Sequence, residues 1–168
     1  MQLAKYGLVL LLGATSLAVS GHVAAATVDM MDTNGNFIGQ VTLIQTPKGI
    51  LVKAELRDLT PGGHGFHVHE KGSCSPDFKA AGGHFNPTSS GHGLNHSSGS
   101  HAGDMPNIYA AADGSAVAEV FNAKITLSDG PSSVFDGDGS AIIIHAKSDT
   151  HGEKAGAGDR VACGVIRR

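Results

Sequence analysis

The sequence predicts an all-β fold, an antiparallel sandwich or barrel closed around one core. Short runs of β-branched and other apolar residues alternate with clusters of glycine, asparagine and aspartate, a pattern typical of strands joined by tight turns. No long stretch carries the apolar period of a helix, and no internal repeat or linker divides the chain. With 168 residues and 40% hydrophobic content, the chain is long enough for one domain.

The first 26 residues are predicted to be a secretory signal peptide. Lys5 precedes an apolar run from Tyr6 to Val19, and small residues follow up to Ala26. A membrane anchor is the alternative, but a run of about 14 residues is shorter than the ~20 that a spanning helix needs. We expect cleavage after Ala26, which leaves residues 27–168 as one exported domain without a membrane attachment.

The net charge restricts the possible binding partners, and the cysteine content predicts a covalent cross-link. The formal net charge is −3, and removal of Lys5 with the signal peptide makes it −4 by subtraction, so general affinity for nucleic acid is not expected. Cys74 and Cys163 are the two cysteines of the chain. An even number of cysteines in an exported protein predicts one disulfide, and a pair of buried free thiols is the alternative.

The strand predictions run through the exported part of the chain. They fall on VTLIQ from Val41, ILVKAEL from Ile50, GFHVHE from Gly65, AVAEVF from Ala116, AIIIH from Ala141 and VACGVI from Val161. Pairs such as Asn34-Gly35, Asp113-Gly114 and Asp129-Gly130 supply residues that tolerate the positive φ of tight turns.

A stretch of over thirty residues between Glu70 and Ile108 does not fit the strand pattern, because it is dense in glycine, serine and histidine. Loops of this length are usually functional or disordered, and composition alone favours disorder. The loop nevertheless contains residues that a disulfide or a metal could tie down: Cys74, His84, His92, His96, His101 and Asp104.

Two sets of side chains suggest metal sites. His67 and His69 lie two residues apart in a predicted strand and therefore point to one face, and His84 and His145 complete a set of four imidazoles that suits copper, zinc, iron or nickel. A second set, suited to a closed tetrahedral zinc site, has gaps of eight, nine and three residues and consists of His84, His92, His101 and Asp104. His84 belongs to both sets, and a deprotonated imidazole can bridge two cations.

Five segments occur in the order found in one family: GFHVHE, GGHFNP from Gly82, HAGDMPN from His101, IIIHAKSD from Ile142 and GDRVACGVI from Gly158. The chain resembles copper-zinc superoxide dismutases over nearly all of residues 27–168, and with its signal peptide it is similar to the bacterial periplasmic branch. The resemblance implies a flattened Greek-key β-barrel of eight strands with long metal-binding loops, an architecture related to immunoglobulin-like sandwiches. It also implies a Cys74–Cys163 disulfide.

The resemblance further implies the cofactors and their ligands. Copper would be bound by His67, His69, His84 and His145, and zinc by His84, His92, His101 and Asp104. The implied reaction converts two superoxide ions and two protons to dioxygen and hydrogen peroxide by cycling copper(II) and copper(I). His84 would be both a ligand and a proton carrier, Arg160 would attract and orient superoxide, and Asp149 would link one copper histidine to one zinc histidine.

The sequence leaves several alternatives open. The same ligands would serve a periplasmic protein that buffers or delivers copper and zinc without turnover. A relative that binds only copper is a third possibility, which full zinc occupancy would exclude. Only fifteen residues separate His145 from Arg160, so the steering lysines of longer members are not carried over, and Lys71, Lys147 and Lys154 are candidates by position. The family includes monomers and dimers, so a homodimer is neither predicted nor excluded.

Overall fold

The computed structural model describes residues 24–168, which form nine strands and one short 3₁₀ helix, Phe78–Ala81. The strands are β1 (Ala25–Asp32), β2 (Phe37–Thr46), β3 (Gly49–Leu56), β4 (Gly62–His64), β5 (Phe66–His69), β6 (Ile108–Ala110), β7 (Ala116–Asn122), β8 (Ser140–His145) and β9 (Arg160–Ile166). The all-β prediction is confirmed. Most of the predicted signal peptide lies outside the described residues, and its last two residues, Ala25 and Ala26, belong to β1.

Seven strands form one antiparallel sheet in the order β5-β8-β9-β1-β2-β3-β7, and β4 pairs with β6 in a second small sheet. The predicted count of eight strands differs from the nine observed because one extended run changes partners at Gly65. Residues before Gly65 pair with β6, whereas residues after it pair with β8. Gly65 itself forms backbone hydrogen bonds with the end of β8 and the residues that follow it, since its carbonyl accepts from His145 and its amide donates to Lys147.

Alternate residues of the strands build one core. In β1, for example, Ala26, Val28 and Met30 are buried while their neighbours along the strand are more exposed. The same cluster takes side chains from every strand of the large sheet, among them Val41, Val52, Phe66, Ala116, Ile142 and Ala162. Because strands from both ends of the sheet order contribute to one cluster, the sheet must curl around this core.

Strand β8 is buried on both faces, which explains its uninterrupted apolar sequence. Ile142 and Ile144 pack into the main core, whereas Ile143 faces the other way and packs in a second cluster with Cys163 and Ala81. The disulfide Cys74–Cys163 joins the segment that covers this outer face to β9, so the predicted pairing is confirmed.

Among residues 24–168, no helix combines the length and the apolar character needed to cross a membrane.

Removal of the disulfide should destabilise the metal-free fold, because the bond closes a loop of 89 residues and holds the cover over β8. We expect the double variant Cys74→Ser, Cys163→Ser to lose roughly 2 to 5 kcal/mol of unfolding free energy. Guanidinium denaturation of the metal-free proteins measures this difference. An unchanged midpoint would show that the cover over β8 does not depend on the bond.

Candidate metal centre

The alternation of β5 directs two histidines away from the core. Phe66 and Val68 pack into the main core, so His67 and His69 point to the opposite face, where they are nevertheless almost fully buried. His145 ends the neighbouring strand β8, directly after the core residue Ile144. The sheet alone therefore brings three imidazoles to one region.

The long loop covers this region by pairing its backbone with the free edge of β5. The amide of Val68 donates to Gly103, the amide of Phe85 donates to Val68, and the amide of Gly103 donates to Phe85, at 2.8 to 2.9 Å. These bonds set His67 opposite Asp104 and His69 opposite His84 as isolated bridge pairs. The loop is thus fixed against β5, contrary to the disorder that composition favoured.

The first cluster consists of His67, His69, His84 and His145, each of which offers one ligand atom within 4.8 Å of the others. The Nδ1–H groups of His69 and His145 donate to the carbonyls of Gly82 and Gly158, at 3.0 and 3.2 Å. Their Nε2 atoms, like Nδ1 of His67, are buried without a hydrogen-bond partner. Buried nitrogens with free lone pairs that converge on one point fit a metal ion that prefers imidazole.

The second cluster brings the ligand atoms of His84, His92 and Asp104 within 4.8 Å of one another, and His101, the fourth residue of the predicted zinc set, lies beside Asp104. Asp104 Oδ2 accepts from the amides of Gly93 and His101 at 2.8 and 3.0 Å, which directs Oδ1 towards the imidazoles. Oδ1 lies 2.7 Å from His84 Nδ1, 3.5 Å from His101 Nδ1 and 3.8 Å from His92 Nε2. Three imidazoles around one carboxylate oxygen form a donor set that suits tetrahedral zinc.

Asp149 lies between the two clusters. Its Oδ2 atom is 2.8 Å from His67 Nε2 and 3.2 Å from His92 Nε2, so one carboxylate contacts a histidine of each set. Sequence reasoning missed the residue that holds it. Asn107 accepts from the Asp149 amide at 2.7 Å and donates to the Asp149 carbonyl at 2.8 Å. Asn107 ends the quoted segment HAGDMPN, but nothing in that segment indicates a partner 42 positions away.

Arg160 reaches the first cluster through a shared carbonyl group. Its Nη2 donates to the Gly82 carbonyl, the group that also accepts from His69, and its Nη1 donates to the Phe78 carbonyl, both at 2.6 Å. The guanidinium is therefore held beside the imidazoles by the segment that the disulfide anchors. Sequence reasoning had no means of identifying these two backbone acceptors.

Burial controls the electrostatics of the first cluster. Desolvation, with the neighbouring imidazoles, lowers the pKa of His69 to about 2 and that of His145 to about 4. Desolvation also lowers the pKa of His67, although the hydrogen bond with Asp149 opposes it. These rings are neutral at pH 7, which is the form that binds metals.

The two carboxylates that contact the imidazoles, Asp104 and Asp149, stay ionised. Burial alone would raise the pKa of Asp104, but hydrogen bonds from His84 and Gly93 outweigh it and lower the pKa to about 2. Burial likewise opposes ionisation of Asp149, yet its hydrogen bonds with His67 and the His151 amide lower its pKa well below the usual value. Two anionic carboxylates among neutral imidazoles favour the binding of cations.

Three further histidines have other surroundings. The ring nitrogens of His64 lie 2.6 and 2.7 Å from the carbonyls of His145 and Thr60, which ties β4 to the end of β8. His96 Nδ1 accepts a hydrogen bond from the Ser98 amide. His151 lies next to Asn107, at 3.1 Å, but belongs to none of the donor groups found among the described residues.

Comparison with known proteins agrees with this geometry. Residues 37–166 match the family of copper/zinc superoxide dismutases. A Caulobacter vibrioides protein named Superoxide dismutase [Cu-Zn] is 45% identical over 149 residues, which cover 85% of this chain and 86% of that protein. Superoxide dismutase [Cu-Zn] of Photobacterium leiognathi is 39% identical over 91% of this chain and 95% of its own length.

Solved structures show the same architecture. A superoxide dismutase-like protein from Bacillus subtilis matches with a TM-score of 0.80 at 35% identity, covering 84% of this chain and 97% of that one. The Cu/Zn superoxide dismutase from Brucella abortus matches with a TM-score of 0.73 at 31% identity, over 86% of this chain and all of that one. These likenesses confirm the Greek-key barrel that the family resemblance implied.

Gly103 must be glycine for the loop to lie along β5. A Cβ atom there would stand 2.1 Å from the Val68 carbonyl oxygen, which belongs to the paired backbone. We expect Gly103→Ala to lower the free energy of unfolding by roughly 3 kcal/mol or more and to weaken zinc binding. At Gly137 a Cβ would meet nothing within 4 Å, so Gly137→Ala is the matched control and should change stability by less than about 0.5 kcal/mol. Equal stability of the two variants would contradict the pairing.

The buried imidazoles should make the metal-free protein sensitive to acid. Burial lowers the pKa of His145 from the ordinary histidine value of about 6.5 to about 4 in the folded state, so the unfolded chain binds a proton that the folded chain excludes. The contribution of His145 to the free energy of unfolding is therefore complete above pH 6.5. Roughly 3 kcal/mol of it is lost as the pH falls towards 4. Denaturation at several pH values gives the slope of the unfolding free energy against pH. This slope should be shallower for His145→Gln than for the wild type, and it should be unchanged for His96→Gln. Identical slopes for all three proteins would show that burial of His145 has no such effect.

Proposed function

The chain belongs to the copper/zinc superoxide dismutase family, and from this premise we propose that its two histidine clusters hold one copper ion and one zinc ion. Copper is assigned to His67, His69, His84 and His145, and zinc to His84, His92, His101 and Asp104. The observation that carries the proposal is the convergence of buried imidazole nitrogens without hydrogen-bond partners in the first cluster. A cluster of this kind costs free energy unless a cation occupies it.

The activity is the dismutation of superoxide to dioxygen and hydrogen peroxide. Copper supplies the one-electron redox chemistry of this reaction, whereas zinc, which is redox-inert, organises the loop around Asp104. Because the similar structures include a protein named only as superoxide dismutase-like, the fold by itself is a weak argument for turnover. The complete donor sets of this chain carry the argument instead.

We assign the proton-carrying role to His84. Its Nδ1 atom faces Asp104 at 2.7 Å, so its other ring nitrogen is the one available to the first cluster. A nitrogen at this position can hold a proton and release it to a substrate bound beside the cluster. Asp149 supports the arrangement from the other side, since it orients His67 and His92 together.

Arg160 has the properties required to attract and orient an anion. Its guanidinium is half-buried and lies beside the first cluster, where its charge acts on a small anion more strongly than a solvated charge does. The chain as a whole is negative, so a local cation is needed to favour the approach of superoxide. A protein that only buffers metals has no need of this residue.

We further propose that residues 1–26 direct export and that the protein acts in the periplasm. The acidic net charge is consistent with the absence of a nucleic-acid partner.

A homodimer stays a hypothesis, as does electrostatic steering of superoxide by Lys71, Lys147 or Lys154.

Direct measurement of superoxide decay tests the activity. Pulse radiolysis of the purified protein loaded with copper and zinc should show fast decay that the metal-free protein lacks. Replacement of Arg160 by Gln should lower the rate constant by about tenfold and reduce its dependence on ionic strength, because a charge beside the cluster is lost.

The metal content of each protein is the control for this experiment. Copper and zinc, measured by mass spectrometry of the purified proteins, should be the same in the wild type and in Arg160→Gln. Decay no faster than in the metal-free protein, with both metals bound, would contradict turnover and leave a metal-buffering role.

A further inference from the structure

Two side chains beside the end of β7 hold the backbone on either side of His101. Lys124 Nζ donates to the carbonyl oxygen and to the hydroxyl oxygen of Ser100, at 2.8 Å in both cases. Asn122 Nδ2 donates to the carbonyl of Ala102, also at 2.8 Å. The residues directly before and after His101 are thus fixed from the same part of the barrel.

Within the segment 91–104, which carries the proposed zinc ligands His92, His101 and Asp104, this support is distinctive. The His101 amide donates to Asp104, which is a contact inside the loop. Within residues 24–168, the hydrogen bonds that reach residues 97–102 from outside the segment 91–104 come from Lys124 and Asn122. The position of His101 therefore depends on these contacts more than that of His67 or His69, which the sheet itself places.

Asn122 lies in a paired strand, and a further hydrogen bond orients its side chain. Asn122 pairs with Ile50 of β3, and the Lys124 amide donates to Asn122 Oδ1 at 2.8 Å, which fixes the orientation of the side-chain amide. Asn122 and Ser100 are each only 6% exposed, so water competes little for their hydrogen bonds. The hydrogen bond from Asn122 to the backbone next to His101 is therefore well shielded from water.

We propose that Lys124, together with Asn122, is a positioning residue for zinc that holds His101 at the place where it completes the zinc site. Zinc requires its four donors in a narrow tetrahedral arrangement, and a ligand on an irregular loop must be held there before binding. The inference rests on the proposed assignment of zinc to the second cluster. It predicts an effect on zinc binding and none on copper binding, because the copper histidines other than His84 lie on β5 and β8.

The test compares Lys124→Met with Lys48→Met. Both lysines are exposed and border the same cleft, so the two variants lose the same charge on the same side of the barrel. Zinc affinity is measured by competition with a chromophoric chelator, and the visible absorption of bound cobalt(II) reports the ligand geometry. We expect Lys124→Met to raise the zinc dissociation constant by about tenfold and to alter the cobalt spectrum. Lys48→Met should match the wild type, and Lys124→Arg should recover most of the affinity.

Three other outcomes are informative. Zinc binding by Lys124→Met that equals that of Lys48→Met would overturn the inference while leaving the zinc assignment intact. An equal loss of zinc affinity, copper affinity and metal-free stability would also overturn it, because it would show a general structural role. Absence of stoichiometric zinc from the wild type would overturn the zinc assignment itself, and the inference with it.

Discussion

The metal centre depends on the backbone hydrogen bonds between the long loop and the free edge of β5. An edge strand presents unpaired amide and carbonyl groups, and here residues 83–104 satisfy several of them. Because the pairing sets His67 opposite Asp104 and His69 opposite His84, it brings the two donor sets into register side by side. The requirement for glycine at position 103 follows from the same close approach.

The alignment places imidazoles where water cannot reach them, and metal binding offsets the resulting cost. Burial depresses the pKa values of His69 and His145 so far that both rings stay neutral, with their lone pairs directed into the cluster. Such lone pairs lack partners in the metal-free protein, which disfavours the fold. Metal binding supplies the missing partner, so its free energy also stabilises the folded state. Asp149 joins the two sites because one of its oxygens contacts a histidine of each.

A second set of contacts connects the site to the cover over β8. The disulfide fixes the segment that contains Phe78 and Gly82, and the carbonyls of those residues hold the guanidinium of Arg160. The Gly82 carbonyl also accepts from His69, so one backbone group positions both a proposed copper ligand and the cation beside it. In the second cluster, Lys124 and Asn122 perform the corresponding task for His101. Histidines of both clusters are thus supported by residues that are not among the proposed metal ligands.

The sequence by itself determined the all-β class, the residue types of both donor sets and the pairing of Cys74 with Cys163. These features depend on neighbouring residues or on simple counting. Residues i and i+2 of a strand share a face whatever the rest of the fold is, and two cysteines can form only one intramolecular disulfide. The order of the motifs also implied the family. Only the tertiary structure decided how the supporting residues act, because Asn107 meets Asp149 across 42 positions and Arg160 binds two carbonyl groups about 80 positions away. Backbone carbonyls are the same in every residue, so their choice as partners leaves no trace in the sequence. The division of the run around Gly65 into two strands likewise depends on which neighbours the folded chain brings to each side.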